Sequence, residues 1–448
     1  MTNETRTGIA ALALALSVSG CDSGSGSASS AMAKDGGSGS LLGSEAGTSE
    51  PRDSSATSYG GMDSDTDDGA VGIGNAGASD ASDGTAASDA GDGSSKMLIN
   101  PAPGSKFFIG TNFWNIDWEG QGDFFQQGVD FSTATNPWQP ELLTDLAPYA
   151  VLRFMDWNQT NDSNNPQATW GTRKLKTQPQ SEPVAFEWQI DLSNRTKKDY
   201  WINLPHEAAA DLWQKLAQLI HDQLDSSLRV YVEWSNEVWN GSFPQNQYAA
   251  DQAQSLKLAG TIPAISYQVY ESVRAFETFE AVFGKGSPRL VKVIAGQAAW
   301  TGPCNAQMIA FADATINPNH TKADAYAIAP YFSGTSIADL GTSISTVVQW
   351  TQYSFTCASG GALALISYEG GSDSSASPGN GCTTLQHDQG MHDLYETYLT
   401  GISGAKLTGP FMQYTHTGSC WGLKEKTGDT LATSPKYAAV VDWLAAHP

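Results

Sequence analysis

Two short segments carry the side chains best suited to chemistry. In Arg229-Val-Tyr-Val-Glu-Trp-Ser-Asn-Glu-Val-Trp-Asn240 an apolar run leads straight into Ser235-Asn236-Glu237, which puts a carboxyl at the end of a strand with Trp239 just beyond it. In Ala362-Leu-Ala-Leu-Ile-Ser-Tyr-Glu-Gly-Gly371 a second run of buried type ends in Glu369, and the glycines behind it would let a ligand approach the backbone. A lone glutamate at a strand end is more often a surface or capping group. Two of them converging at one mouth are the tools for cleaving an acetal, one as proton donor and the other as nucleophile or base. A nucleophilic Glu369 must be ionised, and a cation and a phenol beside it, for which Arg153 and Tyr331 are the candidates, would lower its pKa. The carboxyl that donates the proton, Glu237 if Glu369 is the nucleophile, must instead be protonated, raised by an apolar wall and by its partner's charge. Glu233 lies on the same strand face as Glu237 and reads as a buried ion-pair partner, with Arg153 the candidate cation.

The elements that must position these residues recur at barrel-like intervals. Candidate strands are residues 107–110, 150–154, 200–204, 229–234, 290–295, 325–329, 362–367 and 410–414, with helix-like segments between several of them. The clearest helices are Pro205 to Leu224, where Ala209, Leu212, Leu216, Leu219 and Ile220 repeat at helical spacing, and Ser266 to Phe283. Residues 96–448 are therefore expected to form one α/β domain, a (β/α)8 TIM barrel with long loops on its catalytic face. The polar stretch from Asn158 to Lys198 is too long for an ordinary connection, and on a barrel it would lie at the face where substrate binds.

With Asn236-Glu237 ending the fourth candidate strand and Glu369 the seventh, the chain resembles the retaining glycoside hydrolases of the large TIM-barrel clan A, of cellulase and β-glycanase type. The resemblance implies Glu237 as general acid/base, Asn236 as a contact to the sugar 2-hydroxyl and Glu369 as nucleophile. Arg153 in Val-Leu-Arg-Phe, His206 in Asn-Leu-Pro-His and Tyr331 in Ala-Pro-Tyr fall at clan-like positions and are implied to hold substrate. Two departures stand out. Ala329 occupies a position that is histidine in many relatives, and the eighth strand continues Gln413-Tyr414-Thr415-His416 where relatives carry a platform tryptophan, leaving that role to Tyr414 or Trp421, with Trp421 preferred. Sugar rings stack on indoles through their C–H faces, and Trp114, Trp157, Trp239, Trp300 and Trp421 are the candidates for the rim, among which Trp114, Trp239 and Trp421 are chosen as substrate contacts. The activity implied is retaining hydrolysis of a β-linked polysaccharide or oligosaccharide, endo-acting on a β-glucan, mannan or xylan. The alternatives are a transglycosylase on the same barrel and a non-catalytic glycan-binding lipoprotein. No His or Cys spacing suggests zinc and no Gly-rich loop suggests a phosphate cofactor, so neither metal nor cofactor is expected.

The chain of 448 residues carries net charge −23, from 47 acidic and 24 basic side chains, which disfavours a nucleic-acid partner bound by charge. Residues 1–20, an apolar stretch after Arg6 followed by Ser19, Gly20 and Cys21, resemble a bacterial lipoprotein signal peptide. The resemblance implies cleavage before Cys21 and lipid on its thiol, hence a monomer held at the bacterial cell envelope by a lipid anchor alone, facing periplasm or exterior. Residues 21–95 are mostly Gly, Ser, Ala, Asp and Thr, with almost nothing large and Tyr59 the only aromatic, a composition that cannot repay its ordering entropy and reads as a tether. Cys304, Cys357, Cys382 and Cys420 remain, an even number in an exported chain. Cys382 and Cys420 both follow strands and fit one disulfide bracing the mouth. Cys357 just precedes a strand, so its bond to Cys304 would need an unusual path, and that pair is left open.

Overall fold

The eight apolar runs form eight adjacent parallel strands. The computed structural model describes residues 97–114, 123–377, 379, 381–418 and 420–448. The leader expected over residues 1–20, the lipidated Cys21 and the linker to residue 95 lie outside the described residues. In chain order the strands are β1 (Ile109–Asn112), β2 (Val151–Arg153), β3 (Asp199–Leu204), β4 (Val230–Trp234), β5 (Leu290–Ala295), β6 (Ala325–Ile328), β7 (Tyr331–Ser333), β8 (Ala364–Ser367), β9 (Gly371–Asp373) and β10 (Phe411–Gln413). All but β7 and β9 make one parallel sheet in the order β10-β1-β2-β3-β4-β5-β6-β8. Its two ends meet: Ser367 N donates to Pro410 O at 2.9 Å and Thr408 N to Leu365 O at 3.0 Å, closing the barrel. β7 and β9 pair with each other in parallel, prolonging the β6 and β8 corner above the mouth.

Around the sheet run α1 (Pro140–Asp145), α2 (Phe186–Thr196), α3 (Ala210–Gln223), α4 (Pro244–Ser255), α5 (Pro263–Phe283), α6 (Gly302–Ala312), α7 (Ile337–Gly360), α8 (Gly381–Gln386), α9 (Gly390–Gly404) and α10 (Pro435–Ala446). The fold is a (β/α)8 barrel. The helices expected from apolar spacing are α3, whose Leu212, Leu216 and Ile220 are buried, and α5, which stops at Gly284 with φ 88°. The polar stretch from Asn158 to Lys198 is not all loop, because α2 occupies its end and supplies the barrel helix before β3. None of the described helices is long and apolar enough to cross a membrane.

Strand alternation divides the core in two. On β4, Val230, Val232 and Trp234 face the helices, whereas Tyr231 joins Trp201, Val151, Val293, Ala325, Ile366 and Met412 inside the barrel. Large side chains on β3 and β4 are balanced by small ones opposite. A Cβ on Gly110 would lie 2.4 Å from Met412 Sδ and 2.7 Å from Val151 O, so that strand can only pass with glycine there. The same parity sends Arg153 and Glu233 inward at the top of the barrel, at 0% and 1% exposure.

Both disulfides form. Cys382–Cys420 joins α8 to the loop after β10, as expected, with its Cα atoms 5.3 Å apart. Cys304–Cys357, left open on the sequence, also closes, at 6.5 Å. The physical reason is the length of α7: its C-terminal half runs beside the loop after β5, where Ser354 Oγ donates to Ala298 O at 3.3 Å, and this brings Cys357 to the first turn of α6.

Candidate active site

Glu237 is lifted to the mouth by an unusual turn. After β4 ends at Trp234, Ser235 and Glu237 adopt positive φ, 62° and 42°, a conformation that non-glycine residues hold only when the surroundings fix it. Those surroundings are on hand: Asn203 Nδ2 donates to Ser235 O at 2.9 Å, and Gln245 Nε2 to Asn236 O at 2.7 Å. Glu369 follows β8 and is held by the glycines behind it. Those glycines do not open the backbone to a ligand, as the sequence suggested. A Cβ on Gly370 would meet Phe411 at 2.7 Å and one on Gly371 would meet Gln413 at 2.5 Å, so what approaches closely is the protein itself.

Arg153 is the hub of the site. Its Nε and Nη2 donate to Glu233 Oε2 at 3.2 and 3.1 Å, Nη2 also to Asn236 Oδ1 at 2.8 Å, and Nη1 to Asn112 Oδ1 at 3.0 Å and Glu369 Oε1 at 2.9 Å. Its flat guanidinium also lies against the Trp201 and Tyr368 rings, at 5.6 and 5.2 Å. Glu233 takes the ion-pair role read from the sequence and accepts as well from Trp201 Nε1 at 2.9 Å and Asn203 Nδ2 at 2.8 Å.

The two candidate catalytic carboxyls are held by unlike partners. Glu369 accepts from the Arg153 guanidinium and, at 2.9 Å, from the Tyr331 hydroxyl. Among the described residues Glu237 accepts only from neutral donors, Tyr368 Oη at 2.8 Å and Asn240 Nδ2 at 2.9 Å. Burial pushes the pKa of Glu237 up, as expected. It also pushes Glu369 up, to about 8, which corrects the expectation of a lowered value. Arg153 and Tyr331 do pull Glu369 down, but Arg153 is shared with Glu233, and desolvation outweighs what is left.

Asp156, on the turn after β2, is likewise raised by burial, to about 7, against a hydrogen bond from Tyr414 Oη at 3.2 Å. These folded-state values lie above those of the unfolded chain. Below about pH 4 both states are protonated and nothing is lost; as pH rises from there through about 8, the unfolded chain ionises freely while the folded one resists, so stability falls over that window. Melting temperatures at pH 5 and pH 8 check this: wild type should fall more than Glu369→Gln between the two.

The remaining predicted residues divide. Trp114 and Trp421 stack with centroids 5.1 Å apart and planes 17° apart, and Tyr414 meets Trp114 edge-on at 5.5 Å, so the two platform candidates belong to one aromatic wall. Tyr414 also meets Tyr331 edge-on at 6.3 Å, which joins that wall to the partner of Glu369. Trp239 stands beside the Tyr368 hydroxyl. His206 is buried, with its ring against Tyr248 of α4 at 5.1 Å and a bond to the Thr160 backbone; these partners are not the two catalytic carboxyls. Trp157 is not on the rim. It is fully buried, stacked on Phe113 at 4.6 Å, with Nε1 donating to Trp114 O. Trp300 is half exposed on the loop before α6.

Sequence reasoning missed five residues of the site: Asn112, Asp156, Asn161, Asn240 and Tyr368. Asn112 Nδ2 donates to Tyr368 O at 3.0 Å, and Asn161 Oδ1 accepts from Asn236 at 3.1 Å and Gln245 at 2.7 Å. Asn161 lies in the polar stretch after β2, which thus reaches the catalytic face. Strand parity alone could have found Tyr368, which faces inward like Ile366.

No protein-family model matches the sequence, and no curated protein does. Solved structures with a similar fold include a 4-O-α-L-rhamnosyl-β-D-glucuronidase from Fusarium oxysporum, at 13% identity and TM-score 0.44, covering 77% of this chain and 72% of that one. A broad-specificity endoglucanase from Bacteroides salanitronis is 10% identical, with TM-score 0.41 and coverage of 74% and 91%. A family 1 β-glucosidase from Thermotoga maritima is 10% identical, with TM-score 0.40 and coverage of 78% and 99%.

Proposed function

We propose that this chain is a retaining glycosidase acting on a β-linked polysaccharide or oligosaccharide, with Glu369 as nucleophile and Glu237 as general acid/base. The observation that carries the reading is the pair of buried carboxyls at the ends of β4 and β8, one held by a guanidinium and a phenol and the other by neutral donors alone. A Glu369 oxygen attacks the anomeric carbon as the glycosidic C–O bond breaks, and the Glu237 proton passes to the leaving oxygen. Esterification removes the charge of Glu369, so Glu237 can stay ionised and take a proton from water as its oxygen attacks the same carbon, whose bond to Glu369 breaks and returns that carboxylate. Asn236 orders the sugar hydroxyl next to the bond, Arg153, buried and with its five N–H groups taken up by the protein, holds Asn236 and Glu369 in place for it, and Tyr331 releases its hydrogen bond as the ester forms. His206 borders the cleft from the β3 loop. Trp114 and Trp421, with Trp239 across the mouth, supply apolar faces for further rings, which suits endo-action on a β-glucan, mannan or xylan. Attachment through lipid on Cys21 would hold the barrel at the envelope, where such polymers arrive from outside.

The test is a panel of β-glucans, mannans and xylans offered to wild type and to Glu369→Gln, with the anomer first released read by proton NMR. The expected result is sugar release with the β-anomer first, by wild type alone. Release by both proteins, or binding without release in both, overturns the reading, and the latter favours a capture protein.

A further inference from the structure

Asp156 has no place in the steps above, yet it sits among the residues that perform them. It opens the turn Asp156–Asn158, three positions beyond Arg153, and its Oδ2 accepts from Tyr414 Oη at 3.2 Å. Tyr414 in turn touches Trp114 and faces Tyr331, the hydroxyl partner of Glu369. The charge of Asp156 helps to raise Glu369, and that of Arg153 pulls both down. Among the described residues the second oxygen of Asp156, Oδ1, has no partner, and the residue is partly exposed.

The charge balance around it is one-sided. Asp156, Glu233, Glu237 and Glu369 gather about a single guanidinium whose five N–H groups are all engaged by Glu233, Glu369, Asn112 and Asn236. Among the described residues no other cation pairs with any of these carboxyls. A partly exposed, unpartnered carboxyl oxygen accepts sugar hydroxyls well, whereas a sugar carboxylate brought against it would be desolvated beside like charge, with no free donor cation among the described residues to receive it.

We propose that Asp156 is the specificity-determining residue of this site: it accepts hydroxyls of an uncharged sugar and, with the carboxyls beside it, bars a sugar that carries its own carboxylate. This rests on the glycosidase reading for the position of the sugar, but binding tests it separately from turnover. Burial holds the pKa of Asp156 at about 7, so the like charge that bars a second anion is fully in place above that pH.

The experiment is calorimetric binding, at a pH about two units above the Asp156 value of about 7, of cellohexaose and mannohexaose, each beside its C6-oxidised counterpart, to the full chain in the Glu237→Gln background, where the acid is kept uncharged. The better-bound neutral oligosaccharide should exceed its carboxylated partner by at least about 30-fold in affinity, and adding Asp156→Asn should shrink that ratio to below about 5-fold, as removal of one close like charge predicts. Asp156→Ser provides the same readout if the asparagine variant does not fold. An unchanged ratio in the folded Asp156 variants overturns the proposal, as does equal or absent binding of both members of each pair by the background protein. Selective binding without any cleavage by the wild-type protein would sink the hydrolase reading and still support Asp156.

Discussion

Glu369→Gln lowers kcat by on the order of 10⁴-fold or more while the protein stays folded, because an amide cannot form the glycosyl ester on which the second half of the cycle depends. The substitution is nearly isosteric. Its oxygen can still accept from Arg153 Nη1 or Tyr331 Oη, which lie 2.9 Å from the two carboxylate oxygens, so the barrel top should keep its shape. Circular dichroism and melting at pH 5 check the fold, and steady-state kinetics checks the loss. Glu237→Gln separates the roles. On a natural glycan it should lose on the order of 10² to 10⁴-fold, the usual worth of a positioned acid, but on an aryl glycoside with a good leaving group the first step should survive. In that variant the acid limb of kcat/KM should move to lower pH, since Glu237 is one of the groups that raise Glu369. Equal losses on both substrates would contradict the assignment of Glu237 as acid.

Arg153→Met should lower stability by about 3 to 5 kcal/mol and abolish turnover, because it strands Glu233 and Glu369 in the barrel without their cation. Arg153 is wholly buried, and five hydrogen bonds leave it. Arg153→Lys keeps a charge but loses the fork, so it should recover part of the melting temperature and little of the activity. The double variant Arg153→Met/Glu233→Gln provides the decisive comparison. Neutralising Glu233 removes one of the two stranded charges, so thermal melts should show stability partly restored, while activity stays lost because Glu369 still lacks its partner. Failure of the second substitution to restore any stability would mean that the Arg153 to Glu233 pair is not what holds the barrel top together.

The barrel was legible because its information is local. Each strand is a short β-branched or aromatic run, and the order of those runs is all that a parallel (β/α)8 sheet needs. Strand ends moved by only a residue or two, as at β1, where the run read as 107–110 pairs as Ile109–Asn112. Helices were legible only where one face is plainly apolar, as in α3. By contrast α7 mixes Ser and Thr through its 24 residues and α4 is rich in Gln and Ala, so neither advertises a buried stripe.

By itself the sequence determined that two glutamates stand at the ends of barrel strands, that Glu233 points the same way as Glu237, and that Arg153 is the cation in reach. Strand periodicity and order decide these matters, and both are written along the chain. Only the tertiary structure decided who shares that cation. Arg153 meets Glu369 across 216 residues of sequence and Asn112 across 41, and nothing in either segment names the other. It also decided that Glu369 titrates high, because desolvation depends on everything packed around a group rather than on its neighbours in the chain. For the same reason it turned Trp157 into core, gave the glycines after Glu369 to Phe411 and Gln413, and brought Asp156 to the mouth.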